Sequence, residues 1–132
     1  MRDASEYLIY VRSLILLDDQ VQHWQIIREE AQGDNGLLRY RLLLCNQDLL
    51  DIFERFTVNQ GQVTITRYSY HWQQASQQLV KRWDNAPHYP SLTTYPHHLH
   101  ESDENNVLPH PQIKITDVLS IIRQIISGAN QL

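Results

Sequence analysis

The sequence predicts an α+β fold: an N-terminal helix, a roughly five-stranded antiparallel meander, a long His/Pro-rich loop and a C-terminal helix. Three observations predict it. Helical spacing of apolar residues is clearest near the two ends of the chain. Between them, short runs rich in β-branched, aromatic and leucine residues are broken by turn signals. Finally, all five prolines fall between residues 85 and 114, where neither helical nor strand periodicity persists.

In the first element, Ala4, Tyr7, Leu8, Val11, Leu14 and Ile15 recur every three or four residues, which predicts an amphipathic helix over Asp3–Leu16 with Asp3 as its N-cap. Strands are expected at Val21–Glu30, Leu37–Cys45, Leu49–Val58, Val63–Trp72 and Leu79–Asp84. The connections at Gly33–Gly36, Asn46–Asp48, Asn59–Gln62 and Gln73–Gln78 are too short for a parallel crossover, so the strands form an antiparallel meander. Leu49–Phe56 would also suit a helix, because Leu49, Leu50, Phe53 and Phe56 share one helical face. In the last element, Ile115, Val118, Leu119, Ile122, Ile125 and Ile126 form a helical stripe, with Thr116 as N-cap and Gly128 as the stop. Residues 85–114 are expected to be an irregular functional loop, in which the purely polar Glu101–Asn106 is mobile.

The 132 residues are read as one domain, 1–132, whose core needs neither disulfide nor structural metal. A lone cysteine, Cys45, is expected to be a small core residue, and the absence of a cysteine framework points to the reducing cytoplasm. The opening MRDASEYLIYVRS carries charges within its apolar pattern, unlike a signal peptide, and no run approaches the length of a membrane span. Net charge is -4 with histidines neutral, which provides no global field for nucleic acid. Any RNA contact therefore needs a local patch.

The compositional anomaly is histidine. Of seven, four (His88, His97, His98 and His100) lie between residues 88 and 100. Upstream, alternation along Val63–Trp72 places Val63, Ile65, Arg67, Ser69 and His71 on one face, and Thr64, Thr66, Tyr68, Tyr70 and Trp72 on the other. The next strand offers Lys81 and Trp83 on one side, Arg82 and Asp84 on the other; the register decides which side joins His71. Arg67, Lys81 and Arg82 with neighbouring aromatics supply the positive charge and stacking surfaces that single-stranded nucleic acid requires.

Two chemistries fit Trp83–His88 and Tyr95–His100. A histidine can serve as general acid or base toward a ribose hydroxyl or a leaving oxygen, oriented by Asp84, with Arg82 or Lys81 stabilising phosphate charge. The catalytic candidates are His71, Asp84, His88, His98 and His100. Candidates for substrate binding are Arg67, Tyr70, Arg82, Trp83, Asn85 and His97. No cofactor is required on that reading. On the alternative, His88, His98 and His100 with Asp84 or Glu101 ligate zinc or manganese, since His98 and His100 point the same way in an extended segment. Loop histidines can also do no more than tie down a rigid surface.

The blocks Tyr68-Ser69-Tyr70-His71-Trp72, Arg82-Trp83-Asp84-Asn85-Ala86-Pro87-His88 and Tyr95-Pro96-His97-His98-Leu99-His100 resemble the TumE family of toxin components of toxin–antitoxin systems. The likeness takes in Ser5-Glu6-Tyr7-Leu8 and the Ile115–Ile126 helix, so it covers nearly the whole chain. It implies a small cytoplasmic toxin with a cognate DNA-binding antitoxin, and a ribonuclease or mRNA-interferase activity on RNA. The positions it carries over are His71, Arg82, Asp84, Asn85, His88, His97, His98 and His100. The order helix–meander–helix is similar to RelE-like interferases, but the basic residues typical of those toxins are sparse here, which argues against ribosome-dependent action. Three functions follow as expectations. The first is an endoribonuclease using histidine acid–base chemistry. The second is a metal-dependent phosphodiesterase or nucleotidyl-transfer enzyme, and the third a non-catalytic protein that binds its antitoxin through the histidine-rich loop. Pairing of an exposed sheet edge would give a homodimer.

Overall fold

The computed structural model describes residues 1–130. Helix α1, Ala4–Leu16, begins where Asp3 accepts a hydrogen bond from the Glu6 N–H, as the N-cap pattern predicts. Seven strands follow: β1 (Val21–Gln32), β2 (Asn35–Leu44), β3 (Leu49–Asn59), β4 (Gln62–Gln73), β5 (Leu79–Asp84), β6 (His98–Glu101) and β7 (Val107–Pro109). Helix α2 spans Ile115–Asn130. The strands form one antiparallel sheet in chain order, β1 to β7.

The meander expectation holds, and Leu49–Phe56 lies in a strand. The strand count does not hold. Residues expected to be one irregular loop include β6 and β7, whose hairpin continues the sheet beyond β5. The stretches from Asn85 to His97 and from His110 to Lys114 are irregular, and successive turns close the first: His88 N–H donates to Ala86 O at 2.8 Å, and His97 N–H to Thr94 O at 2.8 Å. Glu101–Asn106 is the hairpin turn, with Asn106 N–H donating to Asp103 O at 3.0 Å. Strands this short and this rich in Pro and His leave little periodicity to read.

Both helices cover the same face of the sheet. Tyr7, Leu8, Val11 and Ile15 of α1 and Ile115, Val118, Leu119 and Ile122 of α2 enter one core with Leu38, Tyr40, Leu42, Leu50, Ile52, Tyr70, Trp72, Trp83 and Leu99. The alternation in β2 and β3 thus turns Leu38, Tyr40, Leu42, Leu50 and Ile52 toward the helices and Arg39, Arg41, Asp51 and Arg55 away. Electrostatic contacts fix the helices further. Arg12 of α1 pairs with Glu29 of β1, which also accepts from the Tyr40 hydroxyl. Arg123 of α2 bonds Asp19 at 2.7 Å, and Gln20 donates to Leu119 O at 2.9 Å.

Several local expectations are corrected. Helix α2 starts at Ile115, so Thr116 sits in its first turn; Asp117 instead accepts from the Lys114 N–H at 3.1 Å. Gly128 lies inside the helix, which continues to Asn130. Cys45 is exposed just past the end of β2, with Sγ 3.4 Å from Asp19 O. Strand β1 is one edge of the sheet, and its two register irregularities together with Arg28 and Glu30 oppose edge-to-edge pairing there. No helix among the described residues is long and apolar enough to cross a membrane.

The correction that matters most for function is in β4. Arg67 pairs with Arg55 and Ile65 with Phe56, leaving Thr66 as an extra residue. This bulge reverses the alternation. Val63 and Ile65 therefore pack against the same core as Tyr68, Tyr70 and Trp72, while Arg67, Ser69 and His71 face away from the helices. The sequence expectation had placed Val63 and Ile65 with Arg67, because strict alternation carries no sign of an inserted residue.

Candidate functional site

The face of the sheet without helices carries the chemistry. Cross-strand pairing sets one row, Arg41–Asp51–His71–Arg82–His100, beside a second, Arg39–Phe53–Ser69–Asp84–His98. The register thus joins Arg82 and Asp84 to His71, and sends Trp83 to the core and Lys81 to the Trp72 side. Over β4–β6 the two rows form a cleft of about 490 Å³, walled by Ala86, His88 and Tyr89 from the segment after β5.

At its floor lies a buried cluster. His98 Nε2 stands 2.9 Å from Asp84 Oδ1, and His100 Nε2 stands 3.5 Å from Asp84 Oδ2. Both imidazoles are 2% exposed and Asp84 is 6% exposed. Each ring is oriented from behind by a backbone carbonyl: His98 Nδ1–H donates to Pro96 O at 2.9 Å, and His100 Nδ1–H to Glu104 O at 2.8 Å. That fixes both Nε2 atoms toward the carboxylate. Asp84 is held in turn by the Ala86 N–H at 3.0 Å and by Arg82 Nε at 3.1 Å. Arg82 also donates to Glu104 at 2.7 Å and to His100 Nε2 at 3.1 Å. The ring of Tyr89 stands edge-on to both imidazoles, with centroids 5.0 Å from His98 and 6.0 Å from His100.

Charge is segregated on this face although the chain is acidic overall. By register, Arg28, Arg39, Arg41, Arg55, Arg67 and Arg82 share it. Arg28, Arg41 and Arg82 have carboxylate partners in Glu30, Asp51 and Asp84. Among the described residues Arg39, Arg55 and Arg67 have none; Arg39 lies 4.6 Å above the Phe53 ring, and Arg55 is directly opposite Arg67. Like charges facing each other across two strands repel, and an anion placed between them removes that cost.

The structure brings together seven of the predicted residues. His71, Asp84, His88, His98, His100, Arg67 and Arg82 line one cleft. It does not bring the remaining four there. Tyr70 and Trp83, at 0% and 1% exposure, belong to the helix-covered core, where a substrate cannot reach them. The His97 ring stacks on Tyr68 with centroids 5.8 Å apart and its Nδ1 lies 2.9 Å from the Tyr68 hydroxyl. Burial, and then the neighbouring His98, lower its pKa, which favours the neutral ring. Asn85 spends its amide on β4, as Oδ1 accepts from Tyr68 N–H at 2.9 Å and Nδ2 donates to Thr66 O at 3.1 Å. It clasps the bulge and shapes the cleft wall without entering it.

Sequence reasoning missed Arg39, Asp51, Phe53, Ser69 and Tyr89 as cleft residues. Alternation in Leu38–Leu42 would place Arg39 and Arg41 away from the core, but only the register carries them to His71. Tyr89 had no periodic signal at all.

Taken together, these features define a small α+β protein with an arginine-framed cleft over a histidine–carboxylate floor, on the open face of a meander. A model of the family described as Toxin TumE matches residues 11–127, and the chain belongs to that family. The resemblance drawn from the sequence blocks is thereby established. Membership carries a toxin role and, with it, an antitoxin partner. No curated protein matches the chain, and no solved structure does.

Proposed function

We propose that this toxin acts by cleaving RNA in the cleft on the open sheet face. The observation that carries the reading is that His71 and His88 line the same cleft as Arg67, and neither imidazole has a hydrogen-bond partner among the described residues. Two unengaged imidazoles beside an unpaired guanidinium are the groups that transphosphorylation requires. One histidine accepts the proton of the ribose 2′-hydroxyl as that oxygen attacks phosphorus. The other gives its proton to the departing 5′-oxygen. The products are a 2′,3′-cyclic phosphate and a 5′-hydroxyl end, and Arg67 faces the charge that gathers on the phosphoryl oxygens. Phe53 and Tyr89 provide surfaces for bases, and the unpaired Arg39 and Arg55 extend the path of the backbone. His98 and His100, both buried, set the floor through Asp84. One copy of the chain supplies every residue that lines the cleft. On this reading the antitoxin is DNA-binding and silences the toxin by covering the open face.

The test uses untagged protein and total RNA, then an oligonucleotide carrying a single 2′-deoxy substitution at the cleaved nucleotide. Cleavage is expected to stop at the deoxy position and to fall about 10²–10⁴-fold in His71→Ala and His88→Ala. RNA left intact across pH, with and without divalent metals and ribosomes, overturns the reading. So does a toxin that stays lethal in both variants while losing its antitoxin, which would make the cleft a docking surface.

A further inference from the structure

We propose that Asp84, His98 and His100 form a three-ligand site for a divalent transition metal, with zinc as the best match, and that Arg82 is its built-in competitor.

The geometry is that of a metal centre seen from its ligands. One atom from each residue lies within 4.8 Å of the other two, and all three residues are buried. Metal-bound histidines characteristically donate their second ring N–H to a carbonyl or carboxylate, which turns the free lone pair toward the ion. His98 and His100 both do this, through Pro96 O and Glu104 O. Their adjacent positions on one strand differ by two residues, so both rings leave the same face of β6, and Asp84 meets them from β5.

The independent sign is His98 Nε2. It is buried and has no hydrogen-bond partner among the described residues, although it stands 2.9 Å from Asp84 Oδ1. The two atoms are close but not aligned for a hydrogen bond, which is how two ligands of one ion stand. A buried nitrogen left without a partner is costly and calls for a reason. Coordination supplies one.

Two imidazoles and a carboxylate suit zinc, and three protein ligands leave the fourth position to the cleft, as in catalytic rather than structural sites. His88 is not part of the set. It is exposed on the cleft wall, which removes it from the metal alternative read from the sequence. Arg82 is the complication and the handle. Its guanidinium donates to His100 Nε2 at 3.1 Å and to Asp84 Oδ2 at 3.1 Å, the same lone pairs that the ion needs. Glu104, already bonded to it at 2.7 Å, can keep the side chain when it leaves the other two. Binding of the ion therefore exchanges one cation for another. Its use rests on the RNA reading: in the cleft floor the ion would face a non-bridging phosphate oxygen and draw off its charge. Its binding does not rest on that reading.

Untagged full-length protein, stripped with a chelator, is titrated with Co²⁺ and then Zn²⁺. One equivalent of Co²⁺ is expected to give the visible band of a four-coordinate ion, and Zn²⁺ to abolish it. Asp84→Asn, His98→Gln and His100→Gln should each weaken binding by about 100-fold or more, the upper end of what outer-shell partners contribute. His88→Ala should leave it unchanged, and Arg82→Gln should tighten it about tenfold. Should a ligand variant fail to fold, the imidazole nitrogen resonances of His98 and His100 in the wild type report the same coordination. No band and no resonance shift, or binding that survives His98→Gln and His100→Gln, overturns the proposal. Metal binding without RNA cleavage sinks the RNA reading alone, and cleavage by protein that binds no metal sinks this one alone.

Discussion

The side chain of Asn85 bonds the backbone of Tyr68 as a neighbouring strand would, with Oδ1 accepting its N–H at 2.9 Å while Nδ2 donates to Thr66 O. It thereby closes the bulge that turns Arg67, Ser69 and His71 toward the cleft. Asn85→Ala leaves the buried Tyr68 N–H without a partner, which is expected to cost about 1–3 kcal/mol in urea unfolding. Asn85→Asp keeps the acceptor and should recover part of it. Substrate affinity that drops with unchanged stability would assign Asn85 to the substrate instead.

Arg67 and Arg55 face each other without carboxylate partners. Arg67→Gln is expected to stabilise the isolated fold slightly, by relieving that repulsion, and to weaken RNA binding. Measured against salt, log affinity should lose about one unit of slope, the signature of one phosphate contact removed. An unchanged slope would place the RNA elsewhere.

Glu54 is 0% exposed in the core, where the hydroxyls of Tyr7 and Tyr70 donate to it. Burial raises its pKa more than those two hydrogen bonds lower it. The folded chain therefore retains a proton that the unfolded chain gives up. The stability this contributes is complete below the unfolded carboxyl pKa and is lost as pH rises through the folded one. Glu54→Gln, which cannot ionise, should match the wild type in mild acid and melt higher in mild alkali. A gap between the two that stays constant with pH would contradict this account.

Gly36 pairs with Phe56 across β2 and β3, and a Cβ there would lie 2.3 Å from the ring's Cζ. Phe56 in turn packs at 4.4 Å, centroid to centroid, on Tyr7 of α1. The ring cannot retreat without moving the helix. Gly36→Ala is expected to cost about 1–3 kcal/mol, and Phe56→Leu in the same chain to recover part of it, both read from thermal unfolding. Additive losses in the double variant would show that the ring is not what Gly36 accommodates.

By itself the sequence determined the two helices, five strands of the meander and the Asp3 cap, because each is written in contiguous spacing: three to four residues for a helix face, two for a strand face. It also offered His71, Asp84, His88, His98 and His100 as candidates for histidine chemistry, and blocks shared with a family led to the toxin assignment. Tertiary structure decided the rest. Strands β6 and β7 exist because the edge of β5 offers unpaired backbone groups, whatever the prolines around them suggest. An inserted Thr66 exchanged the faces of β4, which no alternation rule foresees. Arg39, Asp51 and Phe53 reach the cleft only because hydrogen bonding fixed the register of β2 on β3 and β3 on β4. Tyr70 and Trp83 left the list of site residues for the same reason, since a strand side chain has only two directions and the helices had taken one of them.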